Sequence, residues 1–157
     1  MIVVSDTSPL NYLILIGEEN ILTKLFGSIV IPQAVSDELL DAGASSQVRE
    51  WSQNLPDWVK VRHAILTPTA SLDLLDRGER EAILLAQELS ADLLLVDDKQ
   101  ARQAAVNLGI AITGTVGIVD KAARAGLIDL KTGVEKLQKT NFFISDDLLN
   151  LLLENET

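Results

Sequence analysis

Short apolar runs alternate with helical patterns along nearly the whole chain. The runs that favour β-structure predict strands at Ile2–Ser5, Ser28–Ile31, Val59–Arg62, Asp92–Val96 and Ile110–Ile112. Helical spacing predicts helices at Pro9–Ile16, Glu18–Phe26, Pro32–Asp41, Ser45–Gln53, Thr69–Asp76, Gly78–Leu89, Lys99–Leu108, Val116–Ala125, Lys131–Lys139 and Ser145–Leu153. Continuous apolar strands separated by helices are typical of a parallel sheet covered on both faces. The pattern therefore predicts an α/β fold of three layers, α/β/α, with a central, mainly parallel sheet of about five strands.

Length and composition predict one compact domain. A chain of 157 residues with 47% hydrophobic residues is most simply a single domain covering 1–157. The C-terminal helices, within 131–157, are expected to pack on the core or on a dimer partner. No apolar run approaches the roughly 20 residues that span a bilayer, and no signal peptide is recognisable. With no cysteine, disulfides and cysteine-ligated zinc are excluded, and a cytoplasmic location is expected.

The negative net charge does not favour a basic, nucleic-acid-binding surface. The chain has 23 acidic and 13 basic residues, for a net charge of -10, whereas a domain that binds nucleic acid usually has a basic face. A nucleic-acid partner therefore requires that some of the acids bind a cation and that the bases are gathered locally.

Carboxylates stand at the ends of two predicted strands. Asp6 follows the first strand, and Asp97 and Asp98 follow the run "LLLV". Ligands of open parallel sheets bind outside the carboxyl ends of the strands, so these acids are expected to converge there. Helix capping explains each of them separately, and for any one of them taken alone it is the favoured explanation.

Two glutamates extend this set of acids. Ala82, Ile83 and Ala86 follow Glu79 at helical spacing, which places Glu79 in line with the core-facing stripe of its helix. An acid in the first turn also complements the helix dipole, but that role does not require a core-facing position. Glu38 lies beside the buried face of its helix and, by itself, fits a solvated surface acid; its candidacy rests on the other acids.

Four motifs occur in an order that resembles a known family. They lie in "VVSDTSPL", "IPQAVSDEL", "RGEREAILLAQEL" and "LLLVDDKQARQAA", and the similarity extends to "LGIAITGTVGIV". Each is weak alone, but together they resemble the PIN-domain superfamily of metal-dependent ribonucleases, which includes the VapC-type toxins of toxin–antitoxin pairs. The similarity spans essentially the whole chain, and it is closest to a PIN-like group of predicted nucleic-acid-binding proteins.

The resemblance implies four catalytic acids. By motif these are Asp6, Glu38, Glu79 and Asp98. The fourth acid falls at Asp97 or Asp98, and the usual Thr/Ser-x-Asp pattern favours Asp98. Val96 then stands where relatives often carry a hydroxyl residue, which removes one polar group from the usual site.

Clustered carboxylates require a counter-charge to take part in phosphodiester hydrolysis. Like charges crowd one another and raise their pKa values, and a divalent cation relieves that conflict. The expected cofactor is Mg²⁺ or Mn²⁺, as one or two ions. Its predicted ligands are Asp6, Asp98, Asp97 and Glu79, with Glu38 acting through water or as an orienting base. Predicted substrate-binding residues are Thr7, Ser8, Lys99 and Arg102, although an ion pair with Asp98 explains Arg102 equally well.

The leading hypothesis is a metal-dependent endoribonuclease, with the toxin of a toxin–antitoxin pair as one form of it. Its expected partners are RNA, bound modestly and in a salt-sensitive manner, an antitoxin protein and a second copy of the chain, with no membrane. The alternative is a non-catalytic PIN-like module that binds nucleic acid or protein. A phosphatase of the Asp-x-Asp type fits poorly, because this chain reads Asp-Thr-Ser. The aromatic residues Trp51, Trp58, Phe142 and Phe143 are predicted to pack in the core or at an interface rather than to stack on bases.

Overall fold

Five parallel strands form a single sheet in the order β3-β2-β1-β4-β5. The computed structural model describes residues 1–65, 67 and 69–154. The strands are β1 (Val3–Ser5), β2 (Ile29–Pro32), β3 (Val59–Arg62), β4 (Leu93–Leu95) and β5 (Ile112–Thr113). The helices are α1 (Thr7–Leu15), α2 (Ile21–Phe26), α3 (Gln33–Leu40), α4 (Ser46–Gln53), α5 (Arg77–Glu88), α6 (Lys99–Asn107), α7 (Thr115–Arg124), α8 (Leu130–Gln138) and α9 (Asp146–Glu154).

Strand β1 lies at the centre of the sheet, between β2 and β4. Val4 is in register with Val30 of β2, and Ser5 is in register with Leu95 of β4. Because every pair is parallel, the carboxyl ends of all five strands meet at one edge of the sheet. Residues that directly follow β1 and β4 are therefore neighbours in space.

Successive side chains along each strand point to opposite faces of the sheet, and helices cover both faces. Val3 and Leu95 belong to the core beneath α1–α4 and α7–α9, whereas Val4 and Leu94 belong to the core beneath α5 and α6. All four side chains are completely buried. A strand covered on both faces needs apolar residues at every position, which explains the continuous runs in the sequence. The predicted α/β architecture is confirmed.

Most predicted elements occur within a few residues of their predicted bounds, with one exception. The helix predicted at Thr69–Asp76 is only a short 3₁₀ turn at Ala70–Leu72. Asp76 has an extended backbone (φ -69°, ψ 170°) because its side chain caps α5, so no preceding helix can run through it. Pro32 likewise ends β2 and stands at the N-cap of α3, rather than within the first turn of that helix.

The C-terminal helices contribute side chains to the larger core. Val134 and Leu137 of α8 and Leu152 of α9 are buried there. The last three residues of the predicted region 131–157 lie outside the described residues. In the described parts of the chain, no helix combines the length and apolar character needed to cross a bilayer.

Truncation of Leu94 tests the two-faced packing of the sheet. Leu94 is completely buried between the sheet and the helices α5 and α6. We expect Leu94→Ala to lower the free energy of unfolding by about 2–5 kcal/mol, because a cavity adds to the lost burial. The matched control is Leu74→Ala, whose side chain is 88% exposed and whose loss should cost less than about 0.5 kcal/mol. Urea unfolding of the two variants measures the difference, and equal losses would contradict this packing.

Candidate active site

A cavity of about 840 Å³ opens at the carboxyl ends of β1 and β4. Its size falls within the range of about 300–1,000 Å³ that ligand sites usually have. Seven acidic residues line it: Asp6, Glu38, Asp76, Glu79, Asp97, Asp98 and Asp120. Every acid predicted from the sequence is among them, so the fold brings side chains from distant segments to one cavity. Their catalytic and metal-binding roles stay predictions.

Asp6 occupies the innermost position at the end of β1. Its backbone amide donates to the Leu95 carbonyl at 2.9 Å, which extends the sheet by one residue. Its side chain makes no capping bond to α1, although the backbone has the N-cap conformation. The residue is only 5% exposed, and its Oδ1 atom is buried without a hydrogen-bond partner among the described residues. Helix capping therefore does not explain this carboxylate.

Burial and neighbouring acids change the protonation of Asp6. The pKa of its carboxyl is raised from 3.8 to about 7, mainly by loss of solvation and also by the charges of Asp76, Glu38 and Asp97. A hydrogen bond from the Thr7 backbone acts in the opposite direction. Without a cation, the carboxyl therefore holds its proton to a much higher pH than an ordinary aspartate does.

Glu38 is held by two neighbouring segments. The Thr7 hydroxyl donates to its Oε2 atom, and the backbone of Gly78 also hydrogen-bonds to this carboxylate. A Cβ atom at position 78 would lie 2.3 Å from Oε1 of Glu38, so only glycine permits this close approach. Burial raises the pKa of Glu38, and the nearby Asp76 charge adds to that increase.

Asp76 and Glu79 form a capping box at the start of α5. The Glu79 amide donates to Asp76 Oδ1 at 2.8 Å, and the Asp76 amide donates to Glu79 Oε1 at 3.2 Å. Burial raises the pKa of Glu79, and the charges of Asp76, Asp98 and Asp6 raise it further. Sequence reasoning missed Asp76, although the spacing Asp-x-x-Glu in "DRGE" is the signal of a capping box and could have revealed it.

Hydrogen bonds to the Asp97 side chain join the end of β4 to α1 and to α7 beside the cavity. It accepts hydrogen bonds from the Ser8 hydroxyl at 2.5 Å, the Thr115 amide at 2.7 Å and the Thr115 hydroxyl at 2.6 Å. Gly114 makes this approach possible, since a Cβ atom there would lie 2.7 Å from Asp97 Oδ1. Thr115 was not predicted as a site residue. Its buried position at the start of α7 became apparent only in the fold.

Asp98 differs from its neighbour in both exposure and partners. It is exposed, and its Oδ2 atom accepts from the Ala101 amide at 3.0 Å, which caps α6. Its charge contributes to the raised pKa of Glu79. Val96, which stands at the hydroxyl position of the usual pattern, packs in the core beneath α5 and α6 and is 1% exposed.

The predicted substrate-binding residues fall into two groups. Thr7 and Ser8 line the cavity, but their hydroxyls donate to Glu38 and Asp97, which supports a role in positioning those acids. Arg102 lines the main cavity and also a neighbouring cleft of about 290 Å³, which Lys99 lines as well. Within the described residues, Arg102 and Asp98 make no ion pair.

Three aromatic residues also line the cavity, and they were not predicted as part of the site. Tyr12, Phe142 and Phe143 line it together with Asn141. The Tyr12 hydroxyl donates to Asn141 Oδ1 at 2.8 Å. The Tyr12 and Phe142 rings meet edge to face, with their centroids 4.8 Å apart.

Comparisons with known proteins identify the family. A protein-family model described as a PIN domain matches residues 2–156. The chain belongs to the PIN domain family. The fold of this PIN domain is similar to that of a solved PilT N-terminus domain protein, SSO1118, from the hyperthermophilic archaeon Sulfolobus solfataricus P2. That similarity has a TM-score of 0.55 at 22% identity and covers 92% of this chain and 100% of the other. The search of curated proteins found no match.

PIN domains are generally nucleases and typically use divalent metal ions. In this PIN domain, no three acidic or histidine side chains of the described residues form a ready-made metal-ligand group. The buried, unpartnered Oδ1 of Asp6 nevertheless fits a hard cation, as does the all-oxygen character of the acids around it. Mg²⁺ keeps several waters and is usually bound through one or two carboxylates, so it does not require a closed set of protein ligands. The residues present therefore fit a Mg²⁺ or Mn²⁺ ion.

The raised pKa of Asp6 predicts a specific dependence of stability on pH. A carboxyl with a higher pKa in the folded than in the unfolded chain binds its proton more tightly when folded. Its burial therefore costs little below about pH 4, and the cost grows until the pH passes the folded-state value of about 7. The difference between 3.8 and about 7 corresponds to at most about 4 kcal/mol at pH 8.

We expect Asp6→Asn, in the absence of divalent ions, to be more stable than the unsubstituted protein at pH 8 but not at pH 4. Urea unfolding at both pH values measures this. Asp57→Asn, which changes an exposed acid before β3, should have no such effect. A pH-independent difference between Asp6→Asn and the unsubstituted protein would rule out the charge of Asp6 as its cause.

Proposed function

We propose that this PIN domain is a metal-dependent endoribonuclease. The observation that carries the proposal is the buried Oδ1 atom of Asp6, which has no partner among the described residues and lies at a cavity lined by further carboxylates. An orphaned carboxylate oxygen is costly to bury unless another group satisfies it. A divalent cation would satisfy that oxygen and offset the repulsion among the acids.

The acidic residues of the cavity would have different roles in phosphodiester hydrolysis. Asp6, Asp98 and Glu79 would hold the ion. When bound, Mg²⁺ or Mn²⁺ supplies a water of lowered pKa and neutralises charge that develops on the phosphate. Glu38, fixed by the Thr7 hydroxyl, would orient a water and accept its proton at the carboxylate. Asp97 would act by keeping α1 and α7 in position, because its oxygens already accept three hydrogen bonds.

The direct test is cleavage of single-stranded RNA in Mg²⁺ or Mn²⁺. We expect activity that EDTA abolishes, and Asp6→Asn should lower it by on the order of 100-fold or more, because several kcal/mol of transition-state stabilisation are lost. Asp57→Asn carries the same chemical change away from the cavity and should retain full activity. Undiminished cleavage by Asp6→Asn, or no cleavage with either ion, would remove the nuclease proposal.

The proposal also includes the binding partners of the protein. A toxin of a toxin–antitoxin pair would also bind an antitoxin protein, and a second copy of the chain is the expected oligomeric partner. Arg102 and Lys99, which share the cleft beside the main cavity, would contact RNA phosphates. With few bases, such binding would be modest and would weaken as salt is added.

The second candidate is a PIN domain without catalysis, acting as a binding module. Two observations favour it: the described residues contain no ready-made metal-ligand group, and Asp97 is occupied by hydrogen bonds from Ser8 and Thr115.

Calorimetry with Mn²⁺ separates the two candidates. The nuclease requires binding in the millimolar range or tighter, which Asp6→Asn should abolish because it removes the central charge. The absence of Mn²⁺ binding by the unsubstituted protein would favour the binding module.

A further inference from the structure

Phe143 differs from every other aromatic residue that the sequence singled out. Trp51 and Trp58 pack against each other with their ring centroids 6.1 Å apart, and Phe142 packs against Tyr12. The Phe143 side chain is 83% exposed, yet it lines the same cavity as the carboxylates. An exposed phenyl ring is unremarkable on a surface, but its place beside a candidate active site raises the question of what covers it.

The segment that carries Phe143 is attached to the domain on the side of the cavity. The Tyr12 hydroxyl of α1 donates to Asn141 Oδ1 at 2.8 Å, while the hydrogen bond from the Phe142 amide to the Thr140 hydroxyl, at 3.1 Å, lies within the segment itself. The edge-to-face contact between Tyr12 and Phe142 adds to this attachment. The exposed ring of Phe143 is therefore presented by an anchored backbone, which lowers the entropy lost when a flat ligand binds to it.

The charges around the cavity limit how a nucleic acid can bind there. Of the described residues that line the cavity, seven are acids, and Arg102 alone is basic. Even with a divalent cation bound, phosphate contacts can supply only part of the affinity, since the bases that usually provide it are few. Contacts that do not depend on charge must supply the remainder, and stacking of a base on an aromatic ring is such a contact.

We propose that Phe143 is a binding residue on which an unpaired base of single-stranded RNA stacks while the adjoining backbone reaches the carboxylates. This rests on the proposed function and adds to it a residue that contacts the RNA substrate. A base held within a duplex already stacks on its neighbours, so its face is not available to a phenyl ring. The site therefore selects unpaired stretches of RNA over duplex RNA.

The test measures base stacking directly. A short single-stranded RNA that carries 2-aminopurine is mixed with the protein in Mg²⁺ in a stopped-flow instrument, and the rapid fluorescence change that precedes any cleavage is recorded. We expect quenching as the base stacks. Phe143→Ala should weaken this binding by about 5- to 20-fold, whereas Phe143→Trp should stay within about twofold of the unsubstituted protein because a larger ring still stacks. A fully paired duplex should bind weakly and should respond little to either substitution.

Two controls separate stacking from a structural effect. Ile65→Ala removes an equally exposed side chain, 84% exposed, and should leave binding unchanged. The thermal unfolding midpoint and the sedimentation coefficient of Phe143→Ala should match those of the unsubstituted protein. Unchanged RNA binding by Phe143→Ala would overturn the proposal, as would equal losses in the Ala and Trp variants. A change of oligomeric state on substitution would instead identify Phe143 as a protein–protein contact.

Failure of this inference is distinguishable from failure of the nuclease proposal. If the protein cleaves RNA and Phe143→Ala leaves both the affinity and the Michaelis constant unchanged, only the stacking role is lost. If no cleavage occurs but the fluorescence change depends on an aromatic ring at position 143, the stacking role stands and the domain is a binding module.

Discussion

The burial of one carboxylate, that of Asp6, is the constraint on which the arrangement of this site depends. β1 is the central strand, and its last residues are covered by helices on both faces, so the residue that follows it is largely withdrawn from solvent at the cavity. An acid in that position is desolvated, and its Oδ1 atom has no partner among the described residues. The acids from α3, α5 and the end of β4 surround the same cavity and increase the electrostatic cost. A domain of marginal stability retains such a cost only where something offsets it, and a cation is the simplest group able to do so.

Hydrogen bonds around the cavity decide which acids remain available. Asp97 accepts from Ser8 and Thr115 and so joins α1 to α7 across the end of β4. Glu38 is fixed from two sides, by the Thr7 hydroxyl and by the backbone at Gly78. Glycines at positions 78 and 114 allow these contacts, because any larger residue would collide with the carboxylates. The cavity thus combines acids held in place for structural reasons with an innermost acid whose Oδ1 atom has no partner among the described residues.

The acidic surroundings also bear on how a polyanion could approach. The net charge of -10 does not preclude RNA, but it shifts the source of affinity from phosphate contacts towards a bound cation and towards contacts that carry no charge. Phe143 lines the same cavity as the acids and has the exposure that such a contact requires. The two proposals are connected, since a cation and a stacked base would hold neighbouring parts of one RNA strand.

The sequence alone determined the order of strands and helices, the parallel three-layer fold and the identity of five acids around the cavity. The fold followed because buried parallel strands must be continuously apolar, and Asp6, Asp97 and Asp98 because acids directly after such strands converge at one edge. Glu79 followed from its place in line with the core-facing stripe of its helix. Glu38 followed from the resemblance of its motif to the PIN-domain superfamily. The sequence did not reveal Asp76 and Thr115, and it did not show that Phe143 would be exposed beside the cavity. These three features became clear only in the tertiary structure. The same is true of the different hydrogen-bond partners of Asp97 and Asp98. Hydrogen bonds across the cavity and the exposure of a ring depend on which distant segments come together, and no local pattern of residues encodes that.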